Sequence, residues 1–209
     1  MNNKLSLVIL AWLAAAIVST GVAADAPPDV MVRMVTGEIL GIVRQDVAIR
    51  AGDAARAAAL IEQKVLPNFD FRRMTALAVG RDWRGATAAQ QARLVEQFRS
   101  LLVRTYSNAL TQYKDQTIEF RSLRARAEDT DVTVRADIRQ PGAPAIALDF
   151  RLEKVVEGWK VYDVAVAGVS LVANYRGSFS QEIRQGGLDG LIRSLEDKNR
   201  QFAAGRGSS

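Results

Sequence analysis

Three aspartates, Asp137, Asp149 and Asp163, fall in stretches where apolar and polar side chains alternate, so each belongs to a strand. Paired carboxylates on neighbouring strands could do general acid–base work, and Tyr162 beside Asp163 adds a phenol to that set. Arg135, Arg139 and Arg151 share the polar faces of Asp137 and Asp149, an arrangement that gives solvated cross-strand ion pairs. Tyr162 and Asp163 are then the only attractive pair for catalysis. The chain contains no histidine and no cysteine. Ser-His-Asp hydrolysis, thiolate nucleophiles and His- or Cys-ligated metal centres are therefore excluded.

Two other stretches invite a functional reading and decline it. Gln185-Gly186-Gly187-Leu188-Asp189-Gly190 is Gly-rich, but it follows a helical segment and lacks a Lys-Ser/Thr partner, so it reads as a helix stop and restart. Arg121-Ser122-Leu123-Arg124-Ala125-Arg126 is basic, yet no aromatic side chains are interleaved for base stacking. Nucleic acid is not its partner.

The elements that hold these residues follow from periodicity. Met31, Val35, Ile39, Ile42, Val43 and Val47 mark a long helix with Asp29 as its expected N-cap. Gly52 breaks the chain, Asp53 caps an Ala-rich helix that stops before Pro67, and a short helix over Phe69 to Ala78 closes at Gly80. Thr87 and Gln90 form a capping box ahead of Leu94, Phe98, Leu101, Leu102, Thr105 and Ala109. Val95, Tyr106, Leu110 and Tyr113 widen that stripe until it demands apolar partners on two sides. From Thr117 the period falls to two. Ile118 and Phe120 open a strand running toward Arg126, and strands over Asp131 to Arg139, Ile146 to Leu152 and Trp159 to Val166 follow. Ser170 caps a helix through Gln185, a last amphipathic helix starts at Leu188, and Ala203 to Ser209 is expected to be a disordered tail. The fold class is α+β, with helices packed on one face of a curved four-stranded antiparallel sheet. By itself this pattern leaves open whether the apolar interior is solid or hollow.

The first residues bear on compartment. Lys4 precedes an almost wholly apolar stretch from Leu5 to Val18, and Ser19-Thr20-Gly21-Val22-Ala23-Ala24 supplies a small-residue exit. That order of charge, short apolar core and small residues is a secretory signal peptide, with the cut expected after Ala24. The stretch falls short of the ~20 residues that span a bilayer. The division is a signal peptide over 1–24, one α+β domain over 25–202 and the tail. The formal charge is +5, and removal of Lys4 leaves +4. In an exported protein such a balance favours anionic headgroups or acidic surfaces, although a mixed solvated surface is the simpler account.

Four blocks carry a family resemblance. The first runs Phe71-Arg72-Arg73-Met74-Thr75-Ala76-Leu77-Ala78-Val79-Gly80-Arg81-Asp82-Trp83-Arg84-Gly85-Ala86-Thr87, and the second is Phe98-Arg99-Ser100-Leu101-Leu102-Val103-Arg104-Thr105-Tyr106. Trp159-Lys160-Val161-Tyr162-Asp163-Val164, with Gly168-Val169-Ser170-Leu171-Val172-Ala173-Asn174-Tyr175-Arg176 and Phe179, forms the third. Gly187-Leu188-Asp189-Gly190-Leu191-Ile192 is the fourth. In this order they resemble the MlaC family, also called toluene-tolerance proteins. Ala167 departs from the pattern, since the family carries an acidic residue before this glycine.

The resemblance implies a periplasmic phospholipid carrier without catalytic activity or cofactor, and a monomer suffices for a shuttle. It would exchange lipid between an outer-membrane lipoprotein complex and an inner-membrane ABC transporter carrying an MCE-domain protein, maintaining outer-membrane asymmetry. A two-chain lipid in water costs on the order of 20 kcal/mol at about 0.8 kcal/mol per CH₂, so transfer needs a container. Weak headgroup selectivity follows if the headgroup stays in water. The expected cavity lies between the sheet and the helix of Phe98, Leu102 and Tyr106, walled by Val132, Val134, Leu148, Phe150, Val161 and Val164. Val161 and Val164 have opposite parity in a regular strand, so a bulge must intervene if both face inward. Two other readings stay open: an enzyme of the nuclear-transport-factor-like type using Tyr162 or Asp163, and a solid adaptor that binds only proteins.

Overall fold

The computed structural model describes residues 26–114 and 116–205. The expected signal peptide lies outside them. Helix α1 spans Pro28–Gln45, α2 Val47–Arg50 and α3 Ala54–Leu60. The chain then widens into a π turn, Ile61–Val65, and tightens into a 3₁₀ turn, Leu66–Asn68. Helix α4, Phe71–Val79, passes into a 3₁₀ segment over Gly80–Gly85, and α5 covers Ala88–Thr111.

Local chemistry explains most of these boundaries. Pro27, not Asp29, precedes α1, and Asp29 sits in its first turn, where a carboxylate suits the helix dipole without capping. Asp46, unremarked in the sequence, accepts from the Ala48 and Ile49 N–H groups and starts α2. Asp53 accepts from the Arg56 N–H, and Asp70 from that of Arg73 at 2.7 Å. Gly80 ends α4 at φ 74°, a conformation open to glycine. The Thr87–Gln90 capping box is formed in both directions.

The sheet is an antiparallel meander in the order β1 (Thr117–Phe120), β2 (Asp131–Arg139), β3 (Ile146–Val155), β4 (Gly158–Val166) and β5 (Val169–Ser170). The four expected strands are present. β1 is shorter than expected, stopping at Phe120. The two-residue β5 is an addition, paired to β4 through Ala167 and Gly168 at φ 50° and 81°. Two successive positive φ values mark a type I′ turn, which matches strand twist. Helix α6, Leu171–Gly205, is interrupted at Gly187 (φ 67°, ψ −170°), where the sequence calls for a stop and restart. It continues three residues into the segment expected to be tail, and 206–209 lie outside the described residues.

The core is divided. One cluster joins α4, α5 and α6 around Phe98, Phe179, Leu191 and Leu195. A second sits on the sheet under α1, with Val32, Val132, Val134, Leu152 and Val161. The third ties α1 to α2 and α3 through Ile39, Val43, Ile49, Ala57 and Leu60. Three clusters with different helix partners leave space where they meet.

Candidate functional site

That space consists of two adjoining hollows. The larger, about 290 Å³, is bounded by Ile61, Val65 and Leu66 of the π and 3₁₀ turns, Phe69, Phe71 and Met74, and Leu102, Val103, Tyr106 and Leu110 of α5. Val164, Val166 and Leu171 complete it from the sheet and the start of α6. Its walls present no polar surface. The smaller, about 190 Å³, lies beneath α1, between Met31, Val32, Val35, Ile39 and Leu40 above and Ile118, Phe150 and Val161 below. Val65, Phe69 and Leu110 wall both hollows and so form the partition.

Phe69 is held in this position by the backbone. It makes an isolated parallel bridge to Val161, and the Asp70 N–H donates to the Val161 carbonyl at 2.9 Å. The π turn just upstream adds a residue to the helical turn and presents Ile61 and Val65 to the hollow. Such turns concentrate at functional sites.

Tyr106 and Val166 are 41% and 42% exposed, so the larger hollow meets solvent between α5 and the end of β4. Burial, followed by the charge and hydroxyl of Tyr175, pushes the Tyr106 phenol above its ordinary pKa. The aromatic wall therefore stays neutral at physiological pH.

The sequence-derived wall residues separate into two groups. Leu102, Tyr106 and Val164 line the larger hollow, and Phe150 and Val161 the smaller. Phe98, Val132, Val134 and Leu148 line neither. Phe98 is fully buried in an aromatic cluster, its ring 5.0 Å from Tyr175 and 5.1 Å from Phe179. Val132 and Val134 are packed with Val32 and Leu152, and Leu148 is buried in register with Ala136 and Val166. The parity conflict is resolved by a register shift between Arg151 and Leu152: Val164 pairs with Phe150 and Val161 with Leu152, leaving Tyr162 as the bulged residue.

Most of the remaining lining, above all Val65, Phe69, Val103 and Leu110, was not singled out from the sequence as cavity wall. The available signals were the wide stripe on α5 and an aromatic residue just before the Asp70 cap. Neither specifies a hollow.

The acid–base candidates are engaged elsewhere. Tyr162 donates to Asp131 Oδ1 at 2.8 Å, and the Arg73 guanidinium lies 3.6 Å from its ring centroid. Arg73 also pairs with Glu153 and Asp131, joining α4 to the sheet. Burial, then the bond to Asp131, raises the Tyr162 pKa. Asp163, 2% exposed, accepts from the Ser170 hydroxyl at 2.6 Å and the Val172 N–H at 3.1 Å, and Arg151 lies 3.5 Å away. It fastens the start of α6 to β4. Neither residue lines a hollow. Asp137 accepts two bonds from Arg121, each 2.8 Å, and Asp149 sits 3.8 Å from Arg135, as solvent-side ion pairs.

A helix layer over a curved sheet, with a larger hollow free of polar surface that opens beside Tyr106, defines an α+β container for an apolar ligand. The model of the MlaC protein family matches residues 33–197, and the chain belongs to that family. It is 23% identical over 192 residues to the intermembrane phospholipid transport system binding protein MlaC of Haemophilus influenzae, covering 90% of each chain. It is 29% identical over 107 residues to the toluene tolerance protein ttg2D of Pseudomonas putida, about half of each. A solved phospholipid-binding protein from Ralstonia solanacearum, in complex with a phospholipid, superposes with a TM-score of 0.79 at 38% identity, covering 85% of this chain and 99% of the other. Among the described residues, no helix is long and apolar enough to cross a membrane.

Proposed function

We propose that this chain is an exported phospholipid carrier that holds its cargo by the acyl tails. It would be cut after Ala24 and work in the periplasm as a monomer, between an outer-membrane lipoprotein complex and an inner-membrane ABC transporter with an MCE-domain protein. The observation that carries this reading is the larger hollow, whose walls offer tails no polar surface to desolvate. The phospholipid complex of a 38%-identical protein supports it.

Energetics set the requirement. Each buried CH₂ contributes about 0.8 kcal/mol, so two tails far outweigh what a polar headgroup contact would add. The headgroup stays in water beside Tyr106 and Val166, and selectivity among headgroups is weak. Ligand pockets typically measure about 300–1,000 Å³, and the larger hollow sits at the lower end of that range. Two tails therefore need both hollows, which become one when Phe69, Val65 and Leu110 shift. Leu102, Tyr106, Val164, Phe150 and Val161 are the tail contacts in this reading.

Organic extraction of the purified protein, followed by mass spectrometry, is the direct test. Stoichiometric two-chain phospholipid is the expected result. Protein free of any amphiphile after gentle purification, and unable to take one up from vesicles, overturns the reading. Leu110→Asp places a carboxylate in both hollows and should remove the lipid while circular dichroism reports a folded chain.

A further inference from the structure

On the side of α4 turned away from the hollows, a groove of about 540 Å³ runs between α4, the Gly80–Gly85 segment and α6. Its charge is one-sided: Arg81, Arg84, Arg176 and Arg184 line it against the single acid Asp82. Geometry places these arginines in two rows. Arg81 and Arg84 lie three apart in a 3₁₀ segment, where side chains at that spacing eclipse. Arg176 and Arg184 stand two helical turns apart on α6, with Ser180 between them on the same face.

Several other arginines of this protein are neutralised by neighbours, while unpaired ones among the described residues, such as Arg99, Arg124 and Arg126, lie outside this groove. Arg73, Arg93, Arg121 and Arg139 each meet a carboxylate. Among the described residues, none of the four groove arginines has a carboxylate oxygen within 4 Å. Arg176 is nonetheless fixed in direction, because its Nε and Nη2 donate to the Leu77 carbonyl at 2.8 and 2.7 Å. A guanidinium oriented in advance, as that of Arg176 is, loses less entropy when it binds.

We propose that this groove docks an acidic segment of a partner protein, with Asp and Glu carboxylates entering between the two arginine rows. Arginine forks match carboxylates bidentately, which favours such a partner. A membrane surface fits less well, since interfacial binding uses apolar anchors beside the cations. None of the large exposed apolar side chains lines this groove. The inference deepens the carrier reading, because a carrier must dock to give up its cargo, but its test does not depend on cargo.

A fluorescein-labelled octaglutamate peptide serves as the probe, read by fluorescence anisotropy on the full mature protein at low and high salt. The groove variant Arg81→Ala/Arg84→Ala/Arg184→Ala is compared with Arg99→Ala/Arg124→Ala/Arg126→Ala, which removes the same charge from exposed sites elsewhere. Arg176 is left in place to hold the Leu77 carbonyl. The groove variant should weaken the peptide about tenfold or more, and the control no more than about twofold. Both should keep the wild-type melting temperature and lipid content. Equal weakening in the two variants, or no peptide binding at low salt, overturns the proposal. So does loss of co-sedimentation with phosphatidylglycerol vesicles in the groove variant with peptide binding intact, which would make the groove a membrane contact. Absence of lipid from the wild-type protein, with peptide binding at the groove intact, would count against the carrier reading and not against the groove.

Discussion

Val161 and Val164 face the same side of the sheet, although they lie three positions apart on one strand. Val161 is opposite Leu152 and Val164 opposite Phe150, and those two partners, two residues apart on β3, share a face. The bulge at Tyr162 makes this possible. One valine thereby walls the smaller hollow and the other the larger, while the bulged Tyr162 turns to Asp131 and Arg73. A single extra residue separates the polar fastening of α4 from the apolar interior.

Phe69 divides the interior, and Phe69→Ala should unite the two hollows. Its side chain is partly buried, so the loss is expected at about 2 kcal/mol, below the 3–5 kcal/mol of a fully buried phenylalanine. Bound lipid should rise in amount or shift toward longer acyl chains. Mass spectrometry of extracted lipid beside a urea titration would measure both. Unchanged lipid at the expected stability loss would mean that Phe69 is no partition.

Asp163 holds the first turn of α6, and its replacement should damage stability before anything else. Asp163→Ala leaves the Val172 N–H and the Ser170 hydroxyl without their acceptor in a buried setting, at about 2–4 kcal/mol. Asp163→Asn should retain more than half of that. Lipid content per folded molecule should remain at the wild-type level in both. A selective loss of lipid without loss of stability would place Asp163 in the site after all.

Ala167 occupies the first central position of a type I′ turn, and it is the one non-glycine residue at positive φ among the described residues. A left-handed conformation costs an ordinary L residue about 1–2 kcal/mol, and asparagine pays less. Ala167→Asn should therefore stabilise the protein by about 0.5–1 kcal/mol, raising the melting temperature by about 1–4 °C. A lower melting temperature in differential scanning calorimetry would show that the turn is not strained.

Asp46 gives acid sensitivity of predictable sign. The Arg56 side-chain hydrogen bond, then the Ile49 N–H, holds its carboxyl below the ordinary value of 3.8. A folded-state pKa below the unfolded one means that its stabilisation is complete above about pH 4 and is lost as pH falls through the lowered value. Asp46→Asn should melt lower than wild type at neutral pH, and the difference should shrink below pH 4. A difference that stays constant from neutral to acid pH would remove Asp46 from that role.

What the sequence determined by itself are the properties carried by nearest neighbours and by periodicity. The capping box at Thr87, the cap at Asp53, the helix break at Gly187, the four main strands and the polar faces that carry Asp137 and Asp149 all rest on residues a few positions apart or on a period of two, whereas the pairing of Asp137 with Arg121 does not. The tertiary structure decided which apolar residues surround space and which surround each other. Phe98 and Tyr106 sit on one stripe of α5, yet successive steps of four residues turn each side chain about 40° further round the helix, about 80° over the eight that separate them. Phe98 enters the aromatic cluster with Phe179 while Tyr106 reaches the rim. Periodicity records that both belong to one apolar stripe, but a cavity is a relation among α1, the π turn, α5 and β4, and no single element encodes it.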